Sequence, residues 1–145
     1  MKPSIALING PNLNLVGLRE PEIYGNKSLT DYLEELKNEF SNFEIELFQS
    51  NHEGEIVETL QKILNTCAGI IINPAAFTHT SIAIRDVIAI HKCPIIEVHL
   101  SNINERENFR QHSLIRDYSW SHIQGMGLYG YRIALIRMKE LLDFA

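Results

Sequence analysis

Glu97-Val98-His99 closes a short β-branched run, and alternation along a strand puts Glu97 and His99 on the same face. A carboxylate beside an imidazole fixes the ring's tautomer and stabilises its cation, which suits a general acid or base. An ionisable pair inside an apolar run is costly to place, so chemistry is the better reading of it. The loop that follows adds Ser101, Asn102, Arg106, Arg110 and His112. A guanidinium there can bind a carboxylate or pair with a phenolate, although each arginine alone is an ordinary surface residue. Nearer the N-terminus, Tyr24 shares a loop with Arg19. A lone loop tyrosine is commonly a packing anchor. Beside a guanidinium, however, a phenol whose ordinary pKa is ~10 is drawn toward phenolate and can serve as a base.

Two further stretches carry neutral hydrogen-bonding groups. Asn9-Gly10-Pro11-Asn12-Leu13-Asn14 is ordinary turn vocabulary. It is equally a set of carboxamides able to face a developing oxyanion without adding charge. The segment that continues from Gly17 to Gly25 is charged and framed by glycines, as a movable lid is. Asn73-Pro74-Ala75-Ala76-Phe77-Thr78-His79-Thr80-Ser81 reads plainly as a helix start capped by Thr78 or Thr80. Its functional reading sets Asn73 and His79 beside a helix N-terminus, suited to a polyhydroxylated ligand.

These residues need a frame. Strands are expected at Ser4 to Asn9, Phe43 to Gln49, Ala68 to Asn73 and Pro94 to His99, with a weaker fifth at Ser121 to Gly125. Leu29, Tyr32, Leu33, Leu36 and Phe40 share a helical face, as do Ile56, Val57, Leu60, Ile63 and Leu64. A third helix is expected from about Thr80 to His91, with Ile84, Val87 and Ile88 inward and His91 and Lys92 at its negative end. A fourth, Leu128 to Leu142, carries Ile133, Ile136 and Leu141. Strand and helix alternate, so the expected fold is α/β: a flavodoxin-like, doubly wound, five-stranded parallel sheet with helices on both faces. The long loops, Gly10 to Lys27 and Leu100 to Trp120, both follow strand carboxyl ends, where open α/β sheets bind ligands.

The composition narrows the chemistry. The 145 residues, 45% hydrophobic and 21% charged, suit one domain, residues 1–145. A net charge of −5 has the wrong sign for holding a phosphate backbone, so nucleic acid is a poor partner. The two cysteines, Cys67 and Cys93, stand in no metal or redox spacing and read as reduced cytosolic thiols. Ile5 to Ile8 is too brief for a signal-peptide core, and no stretch is apolar enough to span a bilayer, so no membrane is expected and the address is the cytoplasm. The six histidines show no HxH or HExxH spacing, and the dinucleotide and P-loop glycine patterns are missing. A phosphoacceptor switch would want acidic residues where Asn9 and Asn73 stand, and no lysine lies in a strand core to be primed for a Schiff base.

With those residues in view, the chain resembles the type II 3-dehydroquinate dehydratases. The resemblance covers nearly the whole length and rests on INGPNLNLVGLREPEIYG, FQSNHEGEIV, INPAAFTHTSIAIRD and IEVHLSNINERENFRQHS, in that order. It implies dehydration of 3-dehydroquinate to 3-dehydroshikimate by anti elimination through an enolate, with no cofactor, metal or imine, in the shikimate or quinate pathway. By the same match, Tyr24 would be the base, held as phenolate by Arg19 and Arg106. Asn12 would stabilise the enolate through a water, and His99, oriented by Glu97, would protonate the departing hydroxyl. Asn73, His79 and Arg110 would bind substrate hydroxyls, with Leu100 and Ser101 on its carboxylate. Asp86 matches a position that reaches a neighbouring subunit's site, and the expected assembly is a homo-dodecamer of four trimers. The chain departs from the family's frequent residues at Leu18, Ala75, Phe77 and Gln111, where Thr, Gly, Tyr and His are common; this bears on rate and lid behaviour. Two competing expectations are a module that holds a flavin or nucleotide without catalysis and an assembly protein that has lost activity.

Overall fold

The computed structural model describes residues 1–17 and 27–143. Five strands, β1 (Ser4–Asn9), β2 (Glu44–Gln49), β3 (Gly69–Asn73), β4 (Ile95–His99) and β5 (Ser121–Gln124), form one sheet in the order β2-β1-β3-β4-β5. Every pairing is parallel, so each connection must cross over, and the fold is the expected flavodoxin-like α/β arrangement. Helices α1 (Leu29–Glu39), α2 (Glu53–Lys62), α3 (Ile82–Ala89) and α4 (Tyr129–Asp143) cover the two faces. The β1, β3 and β4 runs are apolar almost throughout because both faces are covered.

Period-two alternation divides the core into two layers. Ile5, Leu7, Ile71, Ile96 and Val98 pack under α1 and α4 with Leu33, Leu36, Tyr131 and Met138. Ala6, Ile8, Ile70, Ile72 and Ile95 pack under α2 and α3 with Ile56, Leu60, Ile84 and Ile88. Glu97 and His99 share the parity of Ile95, so both face the α2 and α3 side.

Several local expectations need correcting. Helix α3 is shorter than expected at both ends. Its cap is Ser81, whose Oγ accepts from the Ile84 N–H at 3.0 Å, and neither Thr78 nor Thr80. His91 and Lys92 lie beyond its last turn. On α4 the buried stripe is Tyr131, Ala134, Leu135 and Met138, whereas Ile136 is exposed and Ile133 half-buried. Of the expected face only Leu141 packs against the core, because Tyr131 and Ala134 take the inward positions in place of the isoleucines. The long loop after β4 is no open coil, since it holds three 3-10 turns, Ile103–Glu105, Asn108–Arg110 and Arg116–Tyr118.

Candidate active site

A cleft of about 450 Å³ opens at the carboxyl edge of the sheet, in the size range of small-molecule sites. Asn12, Asn73, His79, His99, Leu100, Ser101, Arg106 and Arg110 all line it, so eight expected site residues from four separate segments converge. Arg19 and Tyr24, with the expected lid around them, lie outside the described residues. Asp86 is exposed on α3 and takes no part in lining this cleft.

The loop after β1 is braced from two sides. Gly10 N–H donates to the Asn73 carbonyl at 2.8 Å, and a Cβ on Gly10 would fall inside the Pro74 carbonyl. That close approach holds the β1 and β3 loops together. Asn12 takes a left-handed backbone, φ 69°, which asparagine tolerates better than most residues. Its N–H donates to Asn51 Oδ1 at 3.0 Å, and Gln49 Nε2 donates to the same oxygen at 3.2 Å.

Of the three carboxamides at the end of β1, Asn9, Asn12 and Asn14, only Asn12 lines the cleft. Asn9 is buried and accepts from the Tyr131 hydroxyl at 2.6 Å. Asn73 Nδ2 donates to that hydroxyl at 3.0 Å, and Asn73 Oδ1 accepts from Ala75 N–H at 3.1 Å. An amide NH₂ has two hydrogens, so Asn73 keeps one for the cleft. Ala75, where the resembled family frequently has glycine, sits at φ 52° in the left-handed region. His79 Nδ1 donates to the His112 carbonyl at 2.7 Å, which leaves Nε2 as an acceptor. Burial lowers its pKa, favouring the neutral ring.

Behind the cleft wall lies a dense polar network. Glu97 is wholly buried, and its Oε1 accepts from His99 Nε2 at 2.6 Å, Ser113 Oγ at 2.6 Å and Thr78 Oγ1 at 2.7 Å. Its Oε2 accepts from His122 Nδ1 at 3.1 Å. Burial pushes the Glu97 pKa up, but hydrogen bonds from His122, His99 and Ser113 and the charge of His99 outweigh it and hold the carboxyl far below its usual range. Glu97 is therefore a fixed anion. With Nε2 of His99 committed to it, Nδ1 is the ring nitrogen that can exchange a proton with the cleft.

Thr78, Ser113 and His122 are the residues that the sequence reading missed. From the sequence Thr78 reads as a cap, and Ser113 lies in a loop otherwise marked by its charged residues. His122 was legible in principle: parallel pairing sets Glu97 opposite His122. On the rim, Arg106 Nη1 donates to Ser101 Oγ at 3.2 Å. Glu107 Oε2 stands 3.6 Å from Arg106 Nε and 3.4 Å from Arg110 Nε, an exposed arrangement that keeps both guanidiniums beside the cleft.

Comparison with known proteins covers nearly the whole chain. The family described as dehydroquinase class II matches residues 3–139. A protein of Sulfurovum sp. (strain NBC37-1) named 3-dehydroquinate dehydratase is 52% identical over 141 residues, covering 96% of this chain and 87% of that protein. One of the same name from Hydrogenovibrio crunogenus is also 52% identical over 141 residues, covering 96% of this chain and 98% of its own length. Among solved structures, the type II dehydroquinase of Butyrivibrio crossotus superposes with a TM-score of 0.87 at 43% identity, covering 95% of this chain and 98% of that one.

Proposed function

The chain belongs to the class II dehydroquinase family and is a hydro-lyase, and from that premise we propose that it dehydrates 3-dehydroquinate to 3-dehydroshikimate by anti elimination through an enolate. The observation that carries this reading is the His99–Glu97 pair: a proton-exchanging imidazole on the wall of a cleft, backed by a buried carboxylate that four donors keep ionised against the cost of its burial.

In this mechanism Tyr24, as phenolate beside Arg19 and Arg106, takes the proton from the carbon next to the ketone. The electron pair moves onto the carbonyl oxygen, where Asn12 stabilises it through a water without adding a charge. The enolate then collapses to the conjugated enone, expelling the β-hydroxyl as His99 Nδ1 delivers its proton, so water leaves. Glu97 stabilises the imidazolium form of His99 before that transfer and holds the ring in place throughout. The spare hydrogen of Asn73, the Nε2 acceptor of His79 and the guanidinium of Arg110 suit the substrate's hydroxyl groups. Leu100 and Ser101, next to Arg106, suit its carboxylate.

Residues 1–145 act as one catalytic unit in the cytoplasm, assembled as a dodecamer of trimers. The exposure of Asp86 on α3, away from its own chain's cleft, supports its reaching a neighbouring subunit's site. Sedimentation equilibrium tests the assembly, and a monomer would remove that role.

The reaction is tested by mixing metal-chelated protein with 3-dehydroquinate and following the ultraviolet absorbance of the enone, with a borohydride-treated sample alongside. Rising absorbance and no inactivation by borohydride are expected. A folded, assembled protein that forms no enone would overturn the activity. Inactivation by borohydride in the presence of substrate would replace the enolate by an imine. Tyr24→Phe is expected to bind substrate while losing turnover, and retained turnover would remove Tyr24 as the base.

A further inference from the structure

The edge of the sheet opposite the cleft gathers three soft or borderline donors that the dehydration does not use. Cys67 lies just before β3, and His91 and Cys93 lie just before β4. β3 and β4 are adjacent and parallel, with Ile70 beside Ile95, so their leading residues meet although 26 positions separate the cysteines. One donor atom from each of the three residues lies within 4.8 Å of the others, and all three side chains are half-buried.

We propose that Cys67, His91 and Cys93 bind a thiophilic divalent cation of the Zn²⁺ class, with a fourth position open to water. The Sγ atoms stand 3.8 Å apart. Two thiolates each ~2.3 Å from a tetrahedral zinc are themselves ~3.8 Å apart, so the pair needs no rearrangement to chelate. A disulfide would require an S–S distance of roughly 2.0 Å, and both thiols are free.

The imidazole supplies a second, independent indication. His91 Nε2 lies 3.0 Å from the Leu60 carbonyl, to which it donates its hydrogen. Its Nδ1 is then a bare lone pair, and that atom is buried without a hydrogen-bond partner among the described residues. A buried polar atom left without a partner costs free energy unless something occupies it. A backbone carbonyl on the far nitrogen is the usual support for a metal-binding histidine, since it sets the tautomer and the ring's direction.

Two thiolates and an imidazole exclude the hard cations Mg²⁺ and Ca²⁺, which take oxygen ligands. Binding converts both thiols to thiolates and releases two protons to solvent, giving an electrically neutral metal centre. The ion would join the segments that lead into β3 and β4, and through the Leu60 carbonyl the end of α2. Its expected effect is on the stability of that edge, with turnover in the opposite cleft unchanged.

The test is titration of the reduced chain, its two thiols first verified by a thiol reagent, with Co²⁺ and then Zn²⁺. One Co²⁺ per chain with a thiolate-to-cobalt charge-transfer band, displaced by Zn²⁺, is expected. Cys67→Ser and Cys93→Ser should each lose the band, and His91→Ala should weaken Zn²⁺ binding at least about tenfold. Zn²⁺ should also raise the Tm of the parent chain and of neither cysteine variant. Absence of the band with both thiols reduced would overturn the site, as would a band that survives in the cysteine variants. A chain isolated two hydrogens lighter with unreactive thiols would mean a disulfide instead.

Discussion

The two ends of β3 and β4 handle buried polar atoms in opposite ways. At the carboxyl end, Glu97 receives four hydrogen bonds, from His99, Ser113, Thr78 and His122, and Asn73 is tied to both Tyr131 and Ala75. At the amino end, His91 Nδ1 has no partner among the described residues and the two thiols contact each other. The first set is closed: each group's orientation is dictated by its neighbours, which suits moving one proton at one atom repeatedly. The second is open: a bare imidazole lone pair faces two adjacent sulfurs with no fixed donor between them, which suits holding an electrophile. Saturation separates a site that acts from a site that binds.

The largest test of that contrast is to cut one end at a time. His99→Ala should lower kcat by about 10²–10⁴-fold, the range for loss of a general acid, while substrate still binds. Cys67→Ser should leave steady-state turnover unchanged; a comparable fall would mean that the two ends are coupled and the contrast is false. Next comes Glu97→Gln, which replaces an acceptor by an NH₂ group facing donors. Breaking such a buried pair should cost roughly 3 kcal/mol or more in urea unfolding at neutral pH. The sign of its pH dependence follows from the depressed pKa of Glu97. The stabilisation is present above the unfolded carboxylate's ~4.3 and is lost as pH falls below it toward the depressed folded value. Glu97→Gln should therefore flatten the acid limb of stability, and an unchanged limb would show that Glu97 does not set it.

A smaller effect is expected on the far side of the same carboxylate. His122→Phe removes one donor from Glu97 at a residue that is not part of the cleft lining, so a fall in kcat of about tenfold, with KM nearly constant, is the expected result. The kcat pH profile should shift as well, which a merely structural loss would not produce. Least of all, Ala75→Gly should stabilise the chain by about 1 kcal/mol, because a left-handed alanine is strained where glycine is not. Thermal unfolding measures this, and destabilisation would show that the added backbone freedom outweighs the relief.

How much of this was readable beforehand depends on the range of the signal. The Glu97–His99 pairing is a two-residue periodicity that the sequence makes legible, as it does the strand cores and the long loop after β4. The donors around Glu97 were not, because Thr78, Ser113 and His122 reach it from three other segments, and hydroxyl residues in loops look like caps. Asn9 looked like a site residue because its type suits the chemistry. Tyr131, 122 positions away, claims it for the core. Cys67 and Cys93 show no metal spacing for the same reason in reverse: such spacings are legible along a chain, whereas here the spacing is across a pair of parallel strands.

Gly10 carries one further consequence, for how this protein can change. Its α-carbon lies so close to the Pro74 carbonyl that any side chain would push apart the two loops that present Asn12 and Asn73. In a library randomising residues 9 to 14, functional clones should return glycine alone at position 10. Gly54, with nothing within 4 Å of an added Cβ, should accept many residues. Routes to new specificity in this scaffold run through the neighbours of residue 10 and never through it.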